Sequence, residues 1–217
     1  PKLNITNGSA VYDSQANYTV TKTGSQATVE YTGTKTNSTT VNIPATVKIN
    51  GKTYKVTAIA ANAFKNNKKI TKAVIGSNVK KIGKSAFAGC TKLSTVSIGS
   101  KVTEIGDSAF ANCTKLKTLT IGKNVATIGA KAFYKCSALA KVTIPAKVKK
   151  IGSQAFMGCK KLKNITVKTT KLKASKVGSK AFKQIHAKAV VKTPSGKKAS
   201  YKKIFTSKGA GKKVTYK

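Results

Sequence analysis

The sequence contains no arginine and no tryptophan, one methionine, one histidine and four acids, Asp13, Glu30, Glu104 and Asp107. Each shortage removes a class of chemistry. Without Arg there is no planar fork for bidentate recognition of a phosphate or a guanine edge, which argues against specific reading of nucleic acid. With one His and four scattered acids, the groups that usually move protons in catalysis are nearly missing, so no enzymatic site is expected. His186 has no second His and no acidic pattern beside it from which a triad or metal site could be built, and a structural or solvent-facing role follows. No apolar run approaches the length of a membrane span, so membrane insertion is not expected. The chain opens at Pro1 without an initiator Met or a basic-then-apolar leader. It is expected to be a mature or excised polypeptide, with any signal peptide or anchor outside it.

What the sequence has in excess is lysine. All 43 basic residues are Lys, and the formal net charge is +39. Self-repulsion at that level opposes compaction and attracts polyanions. Because an ammonium is a hydrated point charge, the attraction is expected to be diffuse. The excess either serves a ligand or keeps a repeat protein soluble. Apolar residues make up 40% of the chain, enough for a buried core.

Those apolar residues repeat. Phe falls at 64, 87, 110, 133 and 156, a step of 23, and again at 182 after a longer step. In phase with it come Asn67, Cys90, Cys113, Cys136 and Cys159, then Ile70, Leu93, Leu116, Leu139 and Leu162. Ala73, Val96, Leu119, Val142 and Ile165 precede Ile75, Ile98, Ile121, Ile144 and Val167 by two residues, the alternation of a strand with one buried face. Gly76, Gly99, Gly122 or Pro145 then turns the chain. A second extended piece such as Val102-x-x-Ile105 returns along the opposite side, and the Gly after it opens a brief helical turn carrying Ala-Phe. One repeat cannot cover its own apolar face, so the repeats stack, with successive strands forming a parallel sheet at about 4.8 Å.

The pattern x-x-Val-x-Ile-Gly/Pro-x-x-Val-x-x-Ile-Gly-x-x-Ala-Phe-x-x-Cys-x-x-Leu, best seen from Val79 to Leu162, resembles the BspA-like leucine-rich repeats of bacterial cell-surface proteins. It covers roughly residues 56–190, and Val41–Pro44 through Gly51–Ile59 is similar to the entry of such domains. The fold is then a right-handed leucine-rich-repeat solenoid of the α/β type, strand-dominated with a parallel sheet. A β-rich N-terminal cap is expected over 1–55, repeats over 56–187 and a mixed C-terminal cap over 188–217, all one continuous unit. Tyr18–Val20 with Ala27–Tyr31, and Thr39–Ile49 with Tyr54–Ile59 across Asn50-Gly51, read as hairpins. After the last Phe of the series, Ala189–Val191 reads as a strand, Lys197–Phe205 as a basic helix and Lys212–Tyr216 as a closing strand. The resemblance implies a secreted or wall-bound bacterial location and an adhesive role, without a ligand.

The four cysteines occur one per repeat, which places them in a line and not around a metal. Equivalent Cβ vectors do not face one another, so a column of buried thiols is expected in place of disulfides, with Asn67 and Ile185 filling the same compact buried slot. Glu104 shares its repeat position with Lys81 and Lys150, and Asp107 with Lys84, so opposite charges are expected to meet across the stack instead of forming a glycosidase pair. The sequon Asn37-Ser-Thr39 has no weight without knowledge of the host. Two lysine columns are candidate polyanion contacts: Lys69, Lys92, Lys115 and Lys161, with Ala138 the exception, and the interrupted Lys101, Lys147 and Lys171. Thr95, Ser97, Thr118, Thr120, Thr143 and Thr166, flanked by Lys72 and Lys141, form a hydroxyl-rich sheet face, which is either a contact surface or simply what strands favour.

No cofactor and no metal is expected. The partner expected is an anionic polysaccharide (sulfated glycan, mucin or teichoic acid) or a host or neighbour surface protein. An inert spacer is the rival, and sequence-independent nucleic-acid binding follows from the charge alone.

Overall fold

A computed structural model describes residues 4–217. Within it each 23-residue period closes one coil, and equivalent residues of successive coils lie side by side. In the strand Thr95–Ser97 the alternation buries Val96 and leaves Thr95 and Ser97 outside the core. That strand pairs in parallel with Lys72–Ile75 and with Thr118–Thr120, Val96 lying opposite Ala73 and Leu119. The return pieces Lys81–Ile82, Glu104–Ile105, Thr127–Ile128 and Lys150–Ile151 build a second parallel ladder, with the four isoleucines in one buried row. The chain is a strand-dominated solenoid, and the helix Lys198–Ser207 is the one α-helix among the described residues.

An aromatic stack runs through the core from one cap to the other. Phe64, Phe87, Phe110, Phe133, Phe156 and Phe182 lie face to face with centroids 4.9–5.8 Å apart. Tyr31 stacks on Phe64 at 5.2 Å, and Tyr18 meets Tyr31 edge-on. At the other end Phe205, from the C-terminal helix, stacks on Phe182 at 4.0 Å and Tyr216 closes the series. All seven Phe are therefore in one column. Phe205 follows Phe182 by the same 23 residues, so the helix takes the place of a further coil.

The segment around each Phe from Phe64 to Phe182 is not helical. Each coil carries two left-handed residues there: Ser85 (φ 55°) and Gly89 (φ 73°) in one, Lys131 (φ 54°) and Lys135 (φ 55°) in another. They occupy the third position of tight turns, as a type II turn requires, with the N–H of Ala86 on the Gly83 carbonyl and that of Cys90 on the Phe87 carbonyl, both at 3.2 Å. The physical reason lies between coils. The N–H groups of Ser85, Phe87 and Gly89 donate to the carbonyls of Asp107, Ala109 and Ala111 in the next coil at 2.9, 2.7 and 2.8 Å. A helix would consume those donors internally and leave the neighbouring carbonyls unpaired. The Gly before each turn answers to coil spacing instead of helix entry, because a Cβ on Gly106 would stand 2.6 Å from the Ile82 carbonyl oxygen.

Two further expectations are corrected. The main sheet is not continuous: the ladder stops between Thr118–Thr120 and Lys141–Ile144, leaving two four-stranded sheets. Leu119 and Ile121 at this break are only partly buried, whereas Val96, Ile98, Val142 and Ile144 are buried, so the apolar row that zips adjacent strands is looser there. Thr40–Ile43 is not part of a hairpin but pairs in parallel with Lys72–Ile75. Only Thr46–Ile49 and Lys52–Ile59 form the hairpin, turning at Asn50 and Gly51 with φ of 50° and 79°.

At the N-terminal end Ala10–Tyr12, Ala16–Lys22 and Thr28–Thr34 form an antiparallel cap, and Thr28–Thr34 joins Lys52–Ile59 in parallel. At the other end Val190–Lys192 and Thr215–Tyr216 extend the sheet of Asn164–Val167. One hydrophobic cluster reaches from Val11 to Tyr216.

Candidate polyanion-binding surface

Stacking in register turns each repeat position into a row. The thiols form such a row inside the molecule. Cys90, Cys113, Cys136 and Cys159 are buried and unbridged, and each Sγ donates to the carbonyl of the Phe 26 residues earlier, at 3.1–3.2 Å. Burial pushes the thiols of Cys90 and Cys159 up to about 12. Ile185 shares the slot as a buried residue, but Asn67 does not: it is half-exposed, and its Oδ1 accepts the N–H groups of Lys69 and Ile70.

Of the acids, Glu104 meets Lys81 at 3.7 Å, the one ion pair among the described residues. Lys150 is two strands away from Glu104, with Thr127 between them. Asp107 does not pair with Lys84. Its Oδ1 accepts the backbone N–H of Ala130 in the next coil at 2.8 Å, a stronger use for a carboxylate than an exposed ammonium. His186 Nδ1 accepts the N–H of Lys188 at 3.0 Å. Among the described residues no three His, Cys, Asp or Glu side chains converge.

The lysines lie outside. Lys69, Lys92, Lys115 and Lys161 are all exposed in one row, and Lys69 Nζ donates to Asn37 Oδ1 at 3.0 Å. The second row is interrupted by asparagine. Lys101 Nζ donates to Asn78 Oδ1 at 3.2 Å and Lys147 Nζ to Asn124 Oδ1 at 2.6 Å, while the two Asn amides donate to the carbonyls of Ala45 and Ser100. Lys171 leaves this row and lines a groove with Lys149, Lys150, Lys173 and Lys176, four residues that column-by-column reading of the sequence missed. The longer step before Phe182 marks Lys173 and Lys176, whereas Lys149 and Lys150 lie in the regular part of the repeat.

The description of the BspA type leucine rich repeat region matches residues 57–189 and 126–215, in six copies. The chain belongs to the BspA-type leucine-rich repeat family. Among solved structures, this BspA-type chain is similar to a leucine-rich repeat protein from Bacteroides ovatus at 30% identity and a TM-score of 0.68, over 85% of this chain and 47% of that one. It therefore spans under half of that relative. It also shares its fold with the T. pallidum leucine rich repeat protein (24% identity, TM-score 0.65, 89% of this chain and 96% of that one). The pneumococcal vaccine antigen PcpA has the same fold at 20% identity and a TM-score of 0.53, over 88% of this chain and 51% of that one. No curated protein matches the sequence.

In the BspA-type coil the strand spacing sets the charge spacing. Like residues of adjacent coils stand about 4.8 Å apart at the backbone, so neighbouring ammoniums repel by about 0.9 kcal/mol in bulk water before their stems splay. The sheet face is built in the same way. Lys72, Thr95 and Thr118 are direct neighbours, as are Ser97 with Thr120 and Thr143 with Thr166. Val74 stands beside Ser97, and the sheet break falls between Thr118 and Lys141, so the face is not an unbroken field of hydroxyls. No helix among the described residues is long and apolar enough to cross a membrane.

Proposed function

We propose that the chain is a non-enzymatic extracellular binding module of a bacterial surface protein, holding an anionic polymer through many exposed lysines. Sulfated glycans, mucins and teichoic acids share the required chemistry: closely spaced negative groups on a flexible chain. The observation that carries this reading is the imbalance in the folded state. Against 43 lysines the described residues hold one ion pair, and Lys69, Lys92 and Lys115 stand as like-charged neighbours in one row. A linear polyanion laid along such rows relieves repulsion that salt otherwise only screens. Membership of the BspA-type family supports the surface placement. The hydroxyl-rich sheet face offers a second contact for carbohydrate or protein.

Retention on an array of sulfated glycans and wall polymers tests this. Binding at low ionic strength that weakens steeply with added salt is expected, and duplex DNA is expected to be retained without sequence preference. Absence of retention even at low salt would eliminate polyanion binding and leave the solenoid as a spacer that projects another domain.

A further inference from the structure

The regular step of 23 lengthens at one place in the Phe series, before Phe182, where three extra residues lie within 168–177. The core takes only Thr169, Leu172 and Val177 from this segment, and Lys168, Lys171, Lys173 and Lys176 are exposed. The segment is nevertheless held at several points. Thr169 Oγ1 donates to the Val148 carbonyl at 2.5 Å. The Tyr201 hydroxyl donates to the Thr169 carbonyl at 2.7 Å and accepts the Leu172 N–H at 3.3 Å. Val177 bridges in parallel to Ile151, which sets Lys176 beside Lys150.

The result is a groove of about 480 Å³ lined by Thr127, Lys149, Lys150, Lys171, Lys173 and Lys176. No acid lines it. Glu104, which shares the row of Lys150, is engaged with Lys81 on the far side of Thr127. None of the five ammonium groups donates a hydrogen bond within the described residues, whereas Lys69, Lys101 and Lys147 each give one to an asparagine.

We infer that this groove is the principal seat for the polymer and takes a short run of sulfate or phosphate esters on a flexible chain. The inference rests on the polyanion reading above and localises it. Along the rows a ligand meets at most one ammonium per coil. In the groove five come from two segments already fixed to each other, so less ordering is required on binding. A concave wall of one sign concentrates the field. Lysine accepts either ester because a rotatable point charge does not demand the planar geometry that Arg imposes. The volume lies within the roughly 300–1,000 Å³ of small-ligand sites, enough for a segment of the polymer.

The test measures affinity for a sulfated tetrasaccharide and for a glycerol-phosphate oligomer at one low salt concentration. Three proteins are compared: the wild type, a groove variant (Lys149→Gln, Lys171→Gln, Lys173→Gln, Lys176→Gln) and a row variant (Lys69→Gln, Lys92→Gln, Lys115→Gln, Lys161→Gln). Both variants lose the same charge at exposed positions, and thermal melts check that both remain folded. The groove variant is expected to lose about tenfold or more in affinity and the row variant about threefold or less, with a shallower salt dependence only in the former. The ester bound more tightly identifies the source. In the wild type, ligand-induced amide shifts are expected to gather at residues 149–150 and 171–176. Equal losses in the two variants, or shifts spread evenly along the rows, would overturn the groove and leave polyanion binding intact. No wild-type binding to either oligomer would remove the underlying reading as well.

Discussion

Cys136 shows how a single residue serves this fold. Its thiol lies in the core, donates to the Phe110 carbonyl at 3.2 Å, and is pushed well above the ordinary thiol value, chiefly by burial. A reagent that modifies thiolates is therefore expected to leave all four cysteines untouched until the protein unfolds. The consequence for stability has a definite sign. Cys159 sits at about 12 in the folded chain against 9.0 ordinarily. Its contribution is complete below pH 9 and is lost as pH rises toward 12, because the unfolded chain ionises first. Cys159→Ala is expected to cost about 1–2 kcal/mol at neutral pH. The urea midpoint of the wild type should fall relative to that of the variant from pH 8 to 11, far enough to close the gap, since lysine titration affects both chains alike; a constant gap would contradict the assignment. Backbone strain gives a pair of opposite outcomes. Gln184, exposed at φ 59°, fills a slot that is glycine in two other coils, so Gln184→Gly is expected to stabilise by about 0.5–1 kcal/mol. Gly152→Ala should destabilise by about 2 kcal/mol or more, because the added Cβ meets the backbone of Ala130. Thermal melts of the two variants decide both signs.

At the scale of the coil, the Phe row joins each repeat to the next. Phe110 lies between Phe87 and Phe133 at 5.1 and 5.5 Å, fully buried, and Phe110→Ala is expected to cost about 3–5 kcal/mol in chemical denaturation. A loss below about 1 kcal/mol would mean that the rings do not stack. This row was legible in the sequence because burial between coils demands the same side chain at the same phase. The thiol row and the two parallel ladders were legible for that reason too. The turns around Phe were not, since Ser85, Lys131 and Gln154 are not residues that announce positive φ, and only hydrogen bonding between coils requires it. Phe205 keeps the phase, but its neighbours form a helix, so nothing around it repeats. The basic groove escaped because one of its walls, Lys171, Lys173 and Lys176, comes from the irregular segment, which keeps no phase with the coils.

At the scale of the whole molecule, charge and fold oppose each other. The formal net charge is +39, and the buried cluster runs the full length of the solenoid. Screening lysine repulsion should therefore stabilise the protein. The melting temperature is expected to rise by several degrees between about 10 mM and 300 mM salt as the Debye length falls from about 30 Å to below 8 Å, while polyanion affinity falls over the same range. A melting temperature that drops with salt would show that attractive pairs dominate the surface. All of the charge geometry depends on coils lying in register, and one distance tests that directly. Spin labels at Lys69→Cys and Lys161→Cys are separated by four coils, and the buried native thiols do not compete for label. A narrow distribution centred near 20 Å is the predicted result, from about 4.8 Å per coil; a broad distribution, or one centred beyond about 35 Å, would contradict it.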